Sequence, residues 1–241
     1  FQVLTPGTWM TSCAKESHLF KHLDCETLFN PLDTSIFYPR NNVAAYKKKY
    51  KIPLDKKIIL FGACKPTETR KGWDLLLEAL ALLRGREDIC LIIFGDDREE
   101  QVASIQTLWL GRIEEEQAMA EICSCADVMC VPSRMETFGQ TASEPQACGT
   151  PVVAFNTTGL QDVVQHKVTG YLAAPFDPED FARGIEWVLD ADADLLAARA
   201  RERALKLFDQ AVIADQAMSI YERNLEEGAS SNTEYVSLGQ A

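Results

Sequence analysis

The stretch "SRMETFGQTASEPQACGTPVVAF", residues 133–155, holds two glutamates, Glu136 and Glu144, with seven residues between them. Gly139 lies inside a predicted strand-to-helix turn, because an apolar run ends just before the stretch and a helix is expected from Gly139 or the next residue. A second apolar run, 151–155, closes the stretch and predicts another buried strand. The stretch therefore predicts a strand–helix–strand unit with a carboxylate on each side of the turn.

Short apolar runs and amphipathic segments alternate along the rest of the chain. The runs that predict buried parallel strands are "QVLT" (2–5), "ETLF" (26–29), "KIILFGA" (57–63), "CLIIFG" (90–95), "TLWLG" (107–111), "DVMCVP" (127–132), "PVVAF" (151–155) and "GYLAA" (170–174). The segments that predict helices are 71–85, 114–126, 178–190, 194–208 and a last helix from an Asp209 cap to about Glu227. This alternation predicts an α/β fold with a doubly wound, Rossmann-like parallel sheet.

The N-terminal residues are separated from the main series of strands. Residues 1–30 read as strand, helix and strand, and the Pro/Asn-rich stretch "NPLDTSIFYPRNN" that follows reads as a linker. We expect 1–30 to be the end of an N-terminal domain and 31–227 to be a complete second domain. The small, polar segment 228–241 is expected to be a loose tail.

The composition is that of an acidic soluble protein of 241 residues, with 46% apolar residues, 25% charged residues and a net charge of −12. This charge argues against a nucleic-acid-binding protein and requires a local site for any anionic ligand. Eight cysteines without a C-x-x-C pair, mostly in apolar runs, are expected to be reduced core residues. Neither a signal peptide nor a stretch approaching the ~20 apolar residues of a membrane span is visible. We expect a cytoplasmic location and leave attachment to the inner face of the membrane open.

Two segments after predicted strands are candidates for ligand binding. In "FGACKPTETRKG" (61–72), Gly62 would let a ligand approach the backbone, and Arg70 and Lys71 precede a helix whose N-terminus favours an anion. The alternative is a solvated basic turn. In "LGRIEEEQ" (110–117), backbone groups from Gly111 through Arg112 to Ile113 could flank a planar base, and the alternative is an ordinary loop.

The opening stretch supplies a second anion seat. The N–H groups of Gly139, Gln140 and Thr141 would point into a cleft at the carboxyl ends of the strands. Glu136 would lie in the loop before the helix and Glu144 about one turn inside it. Carboxylates on both flanks of a phosphate seat suit a ligand with sugar hydroxyls on both sides of phosphate, as in a sugar nucleotide. Alternatively, Glu136 is a surface loop residue and Glu144 is a helix-dipole partner.

Several segments of the chain resemble the motifs of a known family. "ETFGQTASEPQACGTPVVA" resembles the E-x(7)-E motif of retaining glycosyltransferases with the GT-B fold, in the glycogen-synthase and mannosyltransferase-like group. The other matching segments, in the family's order, are "FNPLDTSIFYP", "FGACKPTETRKGWDLLLEAL", "ADVMCVPSRMETFG" and "GLQDVVQHKVTGYLAAPFDPEDFARGI". The match runs from about residue 1 to residue 225.

The resemblance implies a role for each matching residue. Glu136 would contact the donor sugar, Glu144 would hold the ribose hydroxyls, and Lys71 would neutralise the leaving diphosphate. Gly62 would form the turn beside Lys71. The backbone seat for sugar and diphosphate would be formed by Phe138, Gly139, Gln140 and Thr141.

The family usually needs no divalent metal, and the sequence has no convincing metal site. The run "DADAD" (190–194) has calcium-like spacing, but Leu195 stands where the loop needs glycine and Arg201 where it needs glutamate. The family often has arginine after the first loop glycine, where this chain has Ala63. Lys65 or Arg70 is expected to supply that second positive charge. No cofactor is expected.

A GT-B enzyme has two such domains, and here only the end of the acceptor domain is present; a segment upstream of Phe1 is expected. The chain would be the donor half of a retaining hexosyltransferase, inactive without its partner domain. Its ligand would be a UDP-, GDP- or ADP-linked sugar, and a glycan or lipid-linked acceptor would bind the other domain, as in polysaccharide biosynthesis. The alternatives are a sugar-nucleotide epimerase of the same fold and a non-catalytic nucleotide-sugar-binding module. A dehydrogenase-type domain is disfavoured because no G-x-G-x-x-G follows a strand.

Overall fold

The computed structural model describes residues 1–62, 68–96 and 101–238, with 227–238 as backbone alone. Each apolar run that predicts a strand forms one, although β2 begins two residues earlier than predicted, at Asp24. The strands are β1 Gln2–Thr5, β2 Asp24–Thr27, β3 Lys57–Gly62, β4 Ile89–Phe94, β5 Gln106–Trp109, β6 Val128–Val131, β7 Val152–Phe155 and β8 Gly170–Ala173.

The main sheet is parallel, and its strand order within the described residues is β5-β4-β3-β6-β7-β8. The chain builds outward from β3 to β5, returns to the centre at β6 and builds outward to β8 on the other side. This reversal leaves a crevice between β3 and β6 at the carboxyl ends of the strands, where open α/β sheets bind ligands. The predicted doubly wound parallel sheet is confirmed.

The central strands are buried on both faces, as their uninterrupted apolar sequences predict. Along β3, Ile58 and Leu60 face one hydrophobic layer, whereas Ile59 and Phe61 face the other. All four side chains are at most 1% exposed. A strand of this kind is a fixed base from which the residues after its carboxyl end can be positioned.

Helices cover both faces of the sheet. They are α1 Thr8–Glu16, α2 Val43–Lys49, α3 Trp73–Leu82, α4 Glu116–Ser124, α5 Gln140–Ala147, α6 Leu160–Val163, α7 Pro178–Asp190, α8 Ala193–Phe208 and α9 Gln210–Leu238. Helices α3 and α7 contribute to the hydrophobic layer that includes Ile59, whereas α4 and α5 contribute to the layer that includes Leu60. The short helices α2 and α6 are not predicted from the sequence.

The N-terminal residues form a separate small sheet in which β1 pairs with β2 in parallel, and α1 connects them. The stretch predicted as a linker is packed and not free. Leu32 and Phe37 are 6% and 4% exposed, and the N–H of Leu32 donates to the carbonyl of Phe208 at 2.7 Å. The division of the chain at residue 30 remains a prediction.

The last helix begins where the sequence predicts it, since Oδ1 of Asp209 accepts a hydrogen bond from the N–H of Ala211 at 2.9 Å. It extends to Leu238, so residues 228–238 are helical where the sequence analysis expects a loose tail. The segment has no proline, and the single Gly228 costs a helix only about 1 kcal/mol, so neither stops it. Among the described residues, no helix combines the length and apolar character that crossing a membrane requires.

The prediction of reduced core cysteines is confirmed for the buried ones. These are Cys25, Cys90, Cys123, Cys125, Cys130 and Cys148, all free thiols. Cys13 is a free but exposed thiol, and Cys64 lies outside the described residues.

Candidate functional site

The first part of the site is the turn between β3 and α3. A 3-10 turn, Thr69–Lys71, leads into Gly72, which has the left-handed φ of 69°. A Cβ at Gly72 would lie 1.9 Å from the carbonyl oxygen of Pro132, so glycine is needed for this close approach. Gly72 thereby brings Lys71 against the loop that follows β6.

Arg134 joins the same two loops. Its N–H donates to the carbonyl of Arg70 at 2.8 Å, and its Nη1 donates to the carbonyl of Thr69 at 2.7 Å. Its two Nη atoms also bind the carboxylate of Asp74 at 2.8 and 2.6 Å. Arg134 and Asp74 were not predicted from the sequence, because no local pattern marks partners that are 60 positions apart.

Glu136 is the centre of a cluster of charged side chains. Its Oε1 lies 2.7 Å from Nζ of Lys71 and accepts a hydrogen bond from Oγ of Ser133 at 2.8 Å. Its Oε2 lies 3.2 Å from Nη1 of Arg70. The side chains of Glu136 and Lys71 are only 11% and 16% exposed, so water screens their attraction less than at an open surface. Glu136, Lys71 and Arg70 were predicted from the sequence as residues of one site, whereas Ser133 was not predicted.

The main chain of Glu136 is fixed by the loop after β7. Its N–H donates to Oγ1 of Thr158 at 3.1 Å, and its carbonyl accepts from the N–H of Gly159 at 2.9 Å. A Cβ at Gly159 would lie 2.4 Å from the carbonyl oxygen of Thr137, so the two loops are in close contact. The position of Glu136 therefore depends on β7 as well as on β6.

Helix α5 begins directly after the Glu136 loop. Gly139, with φ of 105°, precedes its first residue and has no side chain that could cap it. Gln140 is exposed and Thr141 half-buried at this end. Phe138 is 1% exposed, and its ring lies 5.0 Å from that of Phe208, so only its backbone is available to a ligand. The free N–H groups of α5 favour an anion here.

Glu144 lies one turn into α5 and borders a small groove of about 130 Å³. The other residues that line the groove are Phe37, Ile113, Glu114, Glu115, Glu116 and Met119. Burial, and then the charge of Glu116, raise the pKa of Glu144 to about 7. The structure thus brings together Glu144 and Ile113, which the sequence analysis assigns to the ribose and the base.

Three other predicted residues have different surroundings. Arg112 is 81% exposed and lies 3.4 Å from Glu114 in an ion pair. A Cβ at Gly62 would lie 2.0 Å from the ring of Phe94, so the glycine makes room for that ring. Approach of a ligand to Gly62 remains a prediction. Lys65 lies outside the described residues.

A larger cavity, of about 280 Å³, lies at the other end of the strands, where they begin. The residues that line it include Lys57, Asp127 and Thr150. We do not assign the ligand to it, because Lys57 and Asp127 lie at the amino-terminal starts of β3 and β6, away from the crevice.

The N-terminus of α5, together with Arg70 and Lys71, provides groups that can hold an anion. The carboxylates of Glu136 and Glu144 can accept hydrogen bonds from hydroxyl groups. In the part of the chain that the structure describes, no group of three or more His, Cys, Asp and Glu could hold a metal ion.

A family model described as "Glycosyl transferases group 1" matches residues 42–207. The D-inositol 3-phosphate glycosyltransferase of Mycolicibacterium smegmatis is 32% identical over 212 residues, which cover 81% of this chain and 46% of that protein. The chain spans about half the length of the curated relatives it matches.

Solved structures with the same fold were also found. Sucrose-phosphate synthase from Thermosynechococcus elongatus has a TM-score of 0.79 at 26% identity, covering 94% of this chain and 59% of that one. HepE from Anabaena, in complex with UDP-glucose, has a TM-score of 0.75 at 17% identity, covering 92% of this chain and 64% of that one.

Proposed function

This chain belongs to the glycosyl transferases group 1 family, and from that premise we propose that it binds a nucleoside diphosphate sugar as the donor half of a retaining glycosyltransferase. The whole enzyme would transfer the sugar to an acceptor hydroxyl. Retention of configuration rests on the resemblance to the E-x(7)-E enzymes. The acceptor, a glycan or a lipid-linked molecule, would bind a domain beyond this chain.

The observation that carries the proposal is the contact of Lys71 and Arg70 with Glu136, immediately before the N-terminus of α5. These groups lie after β3 and β6, the two strands between which the sheet changes direction. A crevice at this point is where nucleotides bind to doubly wound sheets. The carboxylate and the cations together match a ligand that carries both hydroxyls and phosphate.

In this proposal the cations stabilise the charge that develops on the leaving diphosphate. Lys71 would act as a point charge, Arg70 would form two parallel hydrogen bonds, and the N–H groups of Gln140 and Thr141 would face the same phosphates. Interactions that strengthen as the negative charge develops accelerate the reaction itself. Lys71 and Glu136 are therefore the residues proposed to act on the reacting groups.

Glu136 would have one role before the donor binds and another afterwards. Without ligand it neutralises Lys71 and Arg70, at 2.7 and 3.2 Å. When donor binds, the sugar hydroxyls would replace these cations as partners of the carboxylate, and the cations would turn to the diphosphate. The nucleoside diphosphate product no longer carries the transferred sugar and offers no sugar hydroxyls to Glu136. Its phosphates would therefore have to compete with this carboxylate for both cations. Glu136 would thus favour intact donor over product.

Glu144 and Ile113 would hold the nucleoside. Glu144, as a carboxylate, can accept hydrogen bonds from both ribose hydroxyls, and the backbone around Ile113 would flank the base. The base and the sugar stay open among UDP-, GDP- and ADP-linked donors. The likeness to HepE, whose structure contains UDP-glucose, supports a nucleotide sugar and favours UDP-glucose as the first probe.

The proposal is tested by calorimetry with UDP-glucose, GDP-mannose and ADP-glucose. We expect one of them to bind, and Lys71→Ala to weaken its binding and that of its nucleoside diphosphate by roughly 1.5–3 kcal/mol, the scale of a charge-assisted hydrogen bond. The matched control is Lys57→Ala, which removes a lysine from the other end of β3 and should leave affinity unchanged. Equal losses in both variants, or no binding of any probe, would contradict the proposed site.

Glu136→Gln separates sugar from diphosphate recognition in the same experiment. We expect it to bind the nucleoside diphosphate about three- to tenfold more tightly, about 1 kcal/mol, and to lose the preference for intact donor. Glu68→Gln is the control, because Glu68 also pairs with Arg70, at 2.9 Å, but is 41% exposed.

Two outcomes would favour the alternative functions. Turnover of a sugar nucleotide by the chain without acceptor would indicate an epimerase. Binding without transfer by any longer form would indicate a non-catalytic module.

A further inference from the structure

Asp162, in α6, makes two hydrogen bonds to a residue 154 positions earlier in the chain. Its Oδ2 accepts from the backbone N–H of Thr8 at 2.7 Å, and its Oδ1 accepts from Oγ1 of the same residue at 2.6 Å. Thr8 is the first residue of α1. Both oxygens of one carboxylate are therefore committed to the start of a helix in the N-terminal segment.

This contact replaces a local cap of α1. The residue before the helix is Gly7, which has extended backbone angles and no side chain to cap the helix. The carboxylate of Asp162 supplies an acceptor from outside the helix and also suits the positive end of the helix dipole.

Gly7 also brings the N-terminal segment against the Glu136 loop. A Cβ at Gly7 would lie 2.8 Å from Oδ2 of Asp162 and 3.0 Å from the carbonyl oxygen of Thr137. Gly7 is buried in this position. The start of α1 thus contacts both Asp162 and the residue directly after Glu136.

The segment that carries Asp162 contacts Glu136 from its other end. Thr158 and Gly159 hold the main chain of Glu136 through two hydrogen bonds, at 3.1 and 2.9 Å. Leu160 is fully buried beneath them. Residues 158–162 are therefore a short bridge between the backbone of Glu136 and the first turn of α1.

Arg203 of α8 keeps this bridge in place. Its Nη2 donates to the carbonyl of Asp162 at 2.6 Å, and its Nε donates to the carbonyl of Val163 at 2.9 Å. Burial of this arginine lowers its pKa, so its charge depends on these acceptors for solvation. Because Arg203 fixes the main chain at Asp162, the Asp162 side chain can couple the position of α1 to that of the Glu136 loop.

We propose that Asp162 is a positioning residue for the donor site. By capping α1 from α6, it fixes the N-terminal segment against the Glu136 loop and so fixes the geometry in which Glu136 and Lys71 meet the donor. The proposal rests on the proposed function, because it concerns affinity for the same nucleotide sugar. It adds a residue that makes no contact with the ligand.

The test compares Asp162→Ala, Asp162→Asn and Asp192→Ala in the full 241-residue chain. Asparagine caps helices about as well as aspartate, so Asp162→Asn should retain the contact. Asp192 caps α8 by accepting a hydrogen bond from the N–H of Leu195 at 3.0 Å. Helix α8 begins beside the cavity at the starts of β3 and β6, away from the candidate site. Asp192→Ala therefore reports the loss of a helix cap alone. Calorimetry with UDP-glucose, GDP-mannose and ADP-glucose measures affinity, and hydrogen exchange measures protection of the α1 amides.

For Asp162→Ala we expect faster exchange in the first turn of α1 and a Kd for the bound probe that rises about three- to tenfold. We expect Asp162→Asn and Asp192→Ala to stay within about twofold of the wild-type Kd. An unchanged Kd in Asp162→Ala, or an equal rise in Asp192→Ala, would overturn the positioning role. If no probe binds the wild-type chain, the proposed function fails, whereas the exchange of α1 still reports whether Asp162 holds the helix.

Discussion

Glu144 is a single residue whose proton equilibrium is coupled to folding. Burial and the carboxylate of Glu116 raise its pKa from the ordinary 4.5 to about 7. The folded chain therefore binds this proton more tightly than the unfolded chain does. The stability that the protonated form contributes is complete below pH 4.5 and is lost as the pH rises through about 7.

Glu144→Gln, which is uncharged at every pH, should consequently be more stable than the wild type at pH 8. We expect a gain of about 1–3 kcal/mol in the free energy of unfolding, measured by urea denaturation, which shrinks towards zero at pH 5. The control is Glu202→Gln, an exposed position on α8, with a change of at most about 0.5 kcal/mol. A gain that does not depend on pH would mean that the charge of Glu144 is not the cause.

At the scale of residues, the sequence predicted Glu136, Glu144, Arg70 and Lys71 as site residues but did not predict the pair of Arg134 and Asp74. The helix N-terminus after Gly139 and the acid on each side of it follow from local pattern, and the structure brings Lys71 to Glu136 as expected. Ser133 and Thr158 were missed because an isolated hydroxyl carries no periodicity. Gly62 was assigned to a ligand, and a sequence cannot reveal that the ring of Phe94 lies against it.

Among the elements, the turn between β3 and α3 depends most on one glycine. Gly72 combines a φ of 69° with a carbonyl oxygen 1.9 Å from the position of a Cβ. Gly72→Ala should therefore add a steric clash with backbone to the cost of a left-handed alanine. We expect a loss of at least about 2 kcal/mol in the free energy of unfolding by urea denaturation. Donor binding should weaken as well, since Lys71 would move away from Glu136.

Gly85→Ala is the matched control for this turn. Gly85 has a φ of 101°, and no described atom lies within 4 Å of the position of its Cβ. Only the backbone strain remains, and the expected cost is about 1 kcal/mol. If the two variants lose equal stability, the contact with Pro132 does not constrain the turn.

The central strands β3, β4, β6 and β7 were predictable as elements because each contains a continuous apolar run between polar segments. The long helices were predictable because their apolar residues recur with helical spacing. Helix α2, Val43–Lys49, has no buried residue, and α6, Leu160–Val163, is a single turn, so neither has an apolar face long enough to show a period. The end of α9 was misplaced because polar composition suggests a tail without excluding a helix.

At the scale of the whole molecule, the order of elements was sufficient for the architecture. Alternating strands and helices allow few topologies, and the right-handed crossover rule leaves the doubly wound sheet as the natural one. The predicted family is confirmed by the match over residues 42–207. The crevice follows from the topology, since the chain reverses its direction of growth between β3 and β6.

Long-range contacts between elements were not predictable. The hydrogen bonds of Asp162 to Thr8, of Arg134 to Asp74 and of Arg201 to Thr34 join residues 60 to 167 positions apart. Each depends on the final packing and not on any local pattern. The sequence could therefore suggest which residues belong to the candidate site, and it could not predict how they are arranged.

Arg201 joins three parts of the molecule and provides a test of how the stretch before α2 is held. Its Nη1 donates to the carbonyls of Phe37 and Ala147 at 2.5 and 2.9 Å, and its Nη2 donates to that of Thr34 at 3.1 Å. Arg201→Ala should leave these carbonyls without a partner and cost about 2–4 kcal/mol in urea denaturation. Arg199→Ala, at an exposed position on the same helix, should cost at most about 0.5 kcal/mol. Because Phe37 also lines the Glu144 groove, donor affinity should fall only in Arg201→Ala, and an equal loss of stability in both variants would show that these hydrogen bonds do not hold the stretch.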